Sequence, residues 1–199
     1  MKNKIPLIGI VNVVLYFLSV VLYLILKTET ALTLWELMTV LSGPLMLIVL
    51  LELGKIISVP EKNQKAMTVF MGCTCALTAA AHIVNISVTR NLIKNGINVP
   101  TYFQIGFWPS VEMAIDYLAW GFFMGLAFLC ASLPIKDTEK SKQRIKIVTL
   151  INSILCLGGF TGALFINENL WYLAPMGYGI GWIVMCVLMG KAKNNVGEK

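Results

Sequence analysis

Charged residues are scarce in this chain, and it contains only one histidine. Of its 199 residues, 13% are charged and 57% are hydrophobic, whereas soluble domains carry about 25% charged residues. The mean hydropathy is +0.77. This composition excludes an ordinary soluble domain and predicts an integral membrane protein, with the lipid bilayer as its surroundings.

The chain also lacks the motifs of several enzyme and cofactor-binding classes. It contains no H-E-x-x-H or H-x-x-E-H spacing, no Gly-rich phosphate loop and no serine-nucleophile elbow. The single histidine excludes bis-histidine haem, and the absence of a mid-span lysine excludes a retinal Schiff base. The net charge of +6 does not predict a nucleic-acid partner, because the basic residues lie in short segments between apolar runs.

Six apolar stretches are long enough to cross a hydrocarbon core of roughly 30 Å at about 1.5 Å per residue. They predict an all-α fold, a polytopic six-transmembrane-helix bundle that forms one membrane domain over residues 1–199. The first stretch has no A-x-A cleavage pattern and is too long for a signal peptide. The predicted spans are 5–26, 32–54, 66–89, 108–133, 147–166 and 170–190, with an external interfacial loop or lid at 90–107 and a charged cytoplasmic loop at 134–146.

The basic residues predict the orientation of the bundle. Of the 16 basic residues, 13 lie on one side of the predicted membrane and 3 on the other. The positive-inside rule therefore predicts that the protein lies in the plasma membrane with both termini in the cytoplasm. The three on the external side are Lys27, Arg90 and Lys94. The 13 on the cytoplasmic side are Lys2, Lys4, Lys55, Lys62, Lys65, Lys136, Lys140, Lys142, Arg144, Lys146, Lys191, Lys193 and Lys199.

Acidic residues within the predicted spans are the main chemical signal. Glu112 and Asp116 lie four residues apart, so both occupy one face of the fourth helix, and Glu36 lies in the second. Such a side chain at the centre of a span costs roughly 2.5–3.5 kcal/mol, so we expect these acids to face protein or water. Glu52 is explained by an interfacial pair with Lys55, three residues further on.

The third helix carries a polar stripe that we expect to face the fourth helix. Its members, spaced by 4, 4, 3 and 4 residues, are Thr74, Thr78, His82, Asn85 and Thr89. A ridge of small residues beside it, Gly72, Ala76 and Ala80, is suited to close helix packing. Under the predicted orientation, His82 and the three acids lie within roughly 6–12 Å of the external surface.

Helix-breaking residues predict two irregular helices. Ser42, Gly43 and Pro44 predict a kink near the middle of the second helix. Pro175, Gly177, Gly179 and Gly181 predict a loosened sixth helix.

Two interpretations of the polar layer compete. In the first, Arg90 pairs with Glu112, His82 bonds to Asp116, and the layer only joins helices in a non-catalytic accessory or sensory subunit. In the second, the excess of carboxylates over cations makes an outward-facing pocket that takes a proton or a cation. Because ionisable groups inside a membrane are functional by default, the second interpretation leads.

The leading function is binding or proton-coupled transport of a small, cationic solute. Glu112 and Asp116 are the expected cation or proton site, His82 the proton partner, and Glu36 and Asn85 the supporting ligands. The expected remainder of the pocket is Thr78, Arg90, Trp35, Tyr117, Trp120 and Tyr178.

The alternative is a membrane-embedded metal-dependent hydrolase. In that case His82, Glu112 and Asp116 would hold a divalent metal; otherwise no cofactor is expected. The sequence leaves open whether the chain forms a homo-oligomer.

Overall fold

A computed structural model describes residues 4–165 and 168–197 of the chain. The fold is all-helical: 85% of the residues are in helices, and the described residues include no strand. Six helices are long and apolar enough to cross a membrane, as the sequence predicts. They are α1 (Lys4–Leu26), α2 (Glu29–Ile56), α3 (Glu61–Lys94), α4 (Val111–Ser132), α5 (Lys140–Leu164) and α6 (Asn169–Ala192).

Side-chain caps fix the starts of two of these helices. The Thr28 hydroxyl accepts a hydrogen bond from the Ala31 amide at 3.3 Å and begins α2, only two residues after α1 ends. The Ser110 hydroxyl accepts from the Met113 amide at 3.2 Å and begins α4. The first cap closes a tight hairpin, and the second places the acidic turn of α4.

Consecutive helices run antiparallel: Asn12 and Tyr23 of α1, for example, contact Ser42 and Trp35 of α2 in reverse order. Polar contacts join the helices. Ser42 Oγ in α2 donates to Asn12 Oδ1 in α1 at 3.2 Å. Thr74 Oγ1 in α3 donates to the Ala119 carbonyl in α4 at 3.1 Å. We call the end formed by the starts of α1, α3 and α5 the basic-rich end, because it carries most lysines, and the opposite end the basic-poor end.

A methionine-rich core fills the bundle from its middle toward the basic-rich end. Six of the ten methionines are at most 2% exposed. They are Met46, Met67, Met71, Met124, Met185 and Met189. Leu50, Leu53, Phe128 and Trp182 complete this core. Large apolar side chains therefore pack closely in this half of the described bundle.

The outer surface of the bundle is apolar. Only 22% of the apolar window of α1 is buried, and Leu7, Val11, Leu18 and Ile25 are all exposed. Soluble monomers rarely expose contiguous apolar surface on this scale. The surface is what lipid-facing helices require.

The structure corrects several boundaries. α3 extends to Lys94 rather than 89, α4 begins at Val111 rather than 108, and α5 begins at Lys140 rather than 147. The predicted loops 90–107 and 134–146 are thus partly helical. Hydropathy marks the apolar part of a helix, whereas polar residues can continue the same helix beyond it.

Local predictions from small residues and prolines had mixed outcomes. α2 is helical through Pro44. The loosening of α6 is confirmed, because Met176–Gly181 is a π-helical segment. The predicted packing ridge of α3 is wrong: Ala76 is exposed, and a Cβ at Gly72 would meet no atom within 4 Å. The close approach lies at Cys75, on the adjacent face of α3, where a Cβ at Gly43 would be 3.1 Å from the Cys75 Sγ.

Candidate functional site

The polar stripe of α3 lies inside the bundle. Thr74, Thr78, His82, Asn85 and Thr89 are each at most 5% exposed, so their predicted orientation is confirmed. The hydrogen bond from Thr74 to the Ala119 carbonyl shows that the stripe faces α4, as expected. Thr78, one turn from His82, has no hydrogen-bond partner for its hydroxyl within the described ranges.

Three π-helical segments surround the stripe. They are Asn85–Thr89 in α3, Leu118–Phe123 in α4 and Met176–Gly181 in α6. A π-turn inserts an extra residue and turns the side chains that follow, and such turns occur frequently at functional sites. Asn85, Trp120 and Tyr178 belong to these segments, and each contributes to the polar cluster or to the cavity beside it.

Glu36 is the most completely bonded acid of the cluster. It is 1% exposed, and its Oε2 accepts a short hydrogen bond from Arg90 Nη2. Asn85 Nδ2 donates to its Oε1 at 2.5 Å. Arg90 Nη1 also donates to Thr33 Oγ1 at 2.8 Å. The charge of Glu36 is therefore balanced by Arg90.

This pairing corrects the partner predicted for Arg90. Arg90 bonds to Glu36 and not to Glu112, because α3 presents Arg90 to the neighbouring turn of α2 rather than to α4. The predicted pair of Glu52 with Lys55 is confirmed, with 3.8 Å between Oε2 and Nζ.

His82 lies between two carboxylates. Its Nδ1 is 3.7 Å from Glu36 Oε1 on α2, and its Nε2 is 3.5 Å from Asp116 Oδ1 on α4. The side chain is 3% exposed, and neither ring nitrogen has a hydrogen-bond partner in the described structure. A neutral imidazole has one N–H donor and a protonated imidazole has two. Two facing carboxylates therefore match the protonated ring.

A cavity of about 250 Å³ opens beside this cluster, in the half of the bundle nearer the basic-poor end. Glu36, His82 and Asp116 all line it. The Asp116 side chain is 24% exposed, and within the described residues its only charged partner is His82. Asp116 is thus the carboxylate that remains available to a solute.

Aromatic side chains form much of the cavity wall. Those that the sequence predicts are Trp35, Tyr117, Trp120 and Tyr178. The Trp120 and Tyr178 ring centroids are 5.4 Å apart. Tyr16 and Tyr23 of α1 also line the cavity, and sequence reasoning missed them. Their spacing of seven residues, which places both on one helix face, was the available signal.

A smaller void adjoins the cavity toward the middle of the bundle. It has a volume of about 20 Å³, shares Tyr16, Thr39, Asp116 and Trp120 with the cavity and extends to Ser42. Met46 also lines this void and belongs to the methionine-rich core. The cavity and the void therefore lead from the half nearer the basic-poor end to the edge of this core.

Two residues of the connection between α3 and α4 line part of the cavity. Ile105 and Gly106 line the cavity wall. Trp108 packs against Trp171 with ring centroids 4.6 Å apart. The Tyr117 hydroxyl donates a hydrogen bond to the Trp171 carbonyl at 3.5 Å. These contacts attach the connection to the starts of α4 and α6.

Glu112 occupies a different place from Asp116. It is 5% exposed in the first turn of α4 and is not among the residues that line the cavity. Within the described ranges, its Oε2 has no hydrogen-bond partner. The structure therefore brings Glu36, His82, Asn85 and Asp116 together, without Glu112.

The metal-binding set that the sequence allowed is not assembled here. In the part of the chain that the structure describes, no group of three or more His, Cys, Asp and Glu side chains has an arrangement that could hold a metal ion. The proposed set fails at Glu112, which lies outside the cavity.

A second buried polar row, which sequence reasoning missed, runs along α5. Lys146, Thr149, Asn152 and Ser153 are each at most 3% exposed. Ser153 Oγ donates to the Gly125 carbonyl at 2.7 Å, and Lys146 Nζ donates to Asp137 Oδ2 at 2.9 Å. This bond holds the pKa of Asp137 below its usual value. Lys146 thus ties the α4–α5 connection to α5.

No family model, curated protein or solved structure matches this chain. The chemistry of the cavity follows from its own residues: an accessible carboxylate, a buried histidine between two carboxylates, and aromatic walls.

Proposed function

We propose that this chain is an integral membrane protein whose cavity binds a small organic cation and carries it across the membrane in a proton-coupled manner. Asp116 is the counter-ion of the bound cation, the aromatic side chains surround it, and His82 is the proton partner. Both termini are cytoplasmic in this proposal, and the cavity opens to the outside.

The surface and the distribution of charge support the membrane assignment. Apolar side chains cover the outside of α1, whereas the lysines gather at the basic-rich end. The positive-inside rule places that end in the cytoplasm, and the cavity lies in the opposite half of the bundle.

The single observation that carries the proposal is the accessible Asp116 carboxylate in an aromatic cavity. Glu36 is neutralised by Arg90, but Asp116 has no arginine or lysine partner within the described residues. Aromatic faces attract cations, by about 0.5–1 kcal/mol at exposed sites and about 2 kcal/mol when desolvated. A volume of about 250 Å³ is below the roughly 300–1,000 Å³ of sites for drug-sized molecules, so the solute is small.

The methionine-rich core and the π-helical segments are suited to the rearrangement that transport requires. A transported solute must reach the other side, which requires the core below the cavity to repack. Methionine is flexible and fills irregular spaces, so a core with six buried methionines is suited to two alternative packings. The π-helical segments provide places where α3, α4 and α6 can change their turn.

Calorimetric titration of the purified protein in detergent tests the binding step. Tetramethylammonium, choline and n-butylammonium are the probe cations. We expect at least one of them to bind, and Asp116→Asn to weaken that binding roughly 30-fold or more, from the loss of about 2 kcal/mol of charge interaction.

The matched control is Glu61→Gln, which removes one negative charge from an 82% exposed side chain at the basic-rich end. We expect it to bind cations as the wild type does. Equal affinity in Asp116→Asn and wild type would contradict the proposed site.

A further inference from the structure

The polar cluster is one positive charge short when both carboxylates are ionised and the histidine is neutral. Glu36 and Asp116 contribute two negative charges, and Arg90, which stays protonated, contributes one positive charge. The buried His82 side chain lies between both carboxylates and can supply the missing charge by binding a proton. A monovalent cation beside Asp116 would supply the same charge.

We infer that the bound cation and the proton on His82 exclude each other, so that the site exchanges one monovalent cation for one proton and the protein is an antiporter. This inference rests on the proposed function. When a cation enters beside Asp116, the His82 ring gives up one proton to the solution on the open side. The charge of the site is the same before and after the exchange.

Geometry makes His82 the group that changes. Both ring nitrogens face carboxylate oxygens, at 3.7 and 3.5 Å, which fits the doubly protonated ring. After loss of one proton, the remaining N–H can stay directed at Glu36, and the other nitrogen then faces Asp116 without a hydrogen. The cation replaces the positive charge beside Asp116 that the ring has lost.

The other ionisable groups around the cluster do not provide this exchange. Arg90 on α3 remains charged, and Glu36 on α2 is held by Arg90 and Asn85. The remaining ionisable groups facing the cavity are tyrosines, which are uncharged side chains. They are Tyr16 and Tyr23 on α1, Tyr117 on α4 and Tyr178 on α6.

The cluster is more than a group of acids. The His82 side chain is only 3% exposed and lines the cavity. Neither of its ring nitrogens has a hydrogen-bond partner in the described structure.

Proton release during cation binding tests the inference on the wild-type protein. The protein in detergent is titrated by calorimetry with whichever of the three probe cations binds most tightly, in buffers that differ in ionisation enthalpy. We expect about one proton to be released per cation bound near pH 7. In the pH range where the cation-free protein carries a proton on His82, the affinity for the cation should rise about tenfold per pH unit. Tert-butanol, a neutral molecule with a shape similar to that of tetramethylammonium, should release no proton.

The variant His82→Gln identifies the source of the proton. We expect its proton release near pH 7 to disappear. Unchanged release near pH 7 in this variant would overturn the assignment to His82.

The outcomes separate the two proposals. Cation binding by the wild type with no proton release overturns the exchange and leaves the cation site standing. Absence of binding by all three cations overturns the proposed function and the exchange with it.

Discussion

At the scale of single residues, partners distinguish the two carboxylates beside His82. Glu36 is 1% exposed and accepts from Arg90 and Asn85, whereas Asp116 is 24% exposed and faces the cavity. Glu36 therefore positions His82 from one side. Asp116 remains able to exchange its partner, as a binding site requires.

The pair of Arg90 with Glu36 should be needed for stability. Arg90→Gln leaves the Glu36 charge buried without its cation, which costs roughly 3 kcal/mol. At about 2–4 °C per kcal/mol, the melting temperature in detergent should fall by about 6–12 °C. The double variant Arg90→Gln with Glu36→Gln should recover most of this loss. The charge pairing would be contradicted if the single variant had the melting temperature of the wild type, or if the double variant had a melting temperature no higher than that of the single variant.

The sequence predicted the members of the site better than their pairing. The burial of His82 and Asn85 followed from residue types and from the spacing of the α3 stripe. The partner of Arg90 did not, because it depends on how α3 is rotated relative to its neighbours. Glu112 and Asp116 are equivalent by spacing, yet the structure places only Asp116 at the cavity.

At the scale of elements, the connection between α3 and α4 forms one wall of the site. Gly106 lines the cavity with φ of +84°, and Gly96, earlier in the same connection, has φ of +76°. Both lie in the left-handed region that favours glycine. Neither would bring an added Cβ within 4 Å of another atom.

These two glycines are a matched pair for testing the lid. Alanine at either position introduces backbone strain of about 1 kcal/mol. We expect similar losses of thermal stability from Gly106→Ala and Gly96→Ala. Only Gly106→Ala should weaken the binding of the probe cation, by about threefold or more. Equal effects of the two variants on the affinity, measured by calorimetry, would argue against a role of the connection in the site.

The α4–α5 connection should stabilise the bundle in a pH-dependent way. Lys146 holds the pKa of Asp137 below its ordinary value of 3.8, so this carboxylate stabilises the folded protein above that pH. The contribution is lost as the pH falls through the lower pKa of the folded state. Asp137→Asn should therefore reduce the melting temperature near pH 7 by about 2–4 °C, equivalent to roughly 1 kcal/mol.

Acid should remove the difference between this variant and the wild type. The gap in melting temperature should shrink as the pH is lowered below about 4. Glu61→Gln removes the acid of an exposed pair with Lys65 and should change the melting temperature little at any pH. A gap for Asp137→Asn that is as large near pH 3 as near pH 7 would contradict the role of the Lys146 bond.

At the scale of the whole molecule, hydropathy was sufficient to predict six helices and an all-helical fold. It placed the start of α5 at 147 instead of Lys140 because the first turns of that helix are charged. The positions of the π-helical segments along the chain could not be predicted, because these segments arise where packing between helices overrides the regular α-helical turn. Tyr16 and Tyr23 were missed because no ionisable side chain lies near them in α1, so their position on one helix face did not by itself indicate a cavity.

The cavity lies in one half of the bundle and the methionine-rich core in the other. Exchange of a cation for a proton across such a molecule requires the site to become accessible from the basic-rich end. That change is the central step of the proposed transport.

Flux in liposomes measures this step most directly. The purified protein is reconstituted, a pH gradient is imposed, and the tightest of the three probe cations is followed as a radiolabelled tracer. The account predicts that the cation accumulates in the acidic compartment, that Asp116→Asn abolishes this accumulation and that Glu61→Gln preserves it. No accumulation by the wild type, or equal accumulation by Asp116→Asn, would contradict the account.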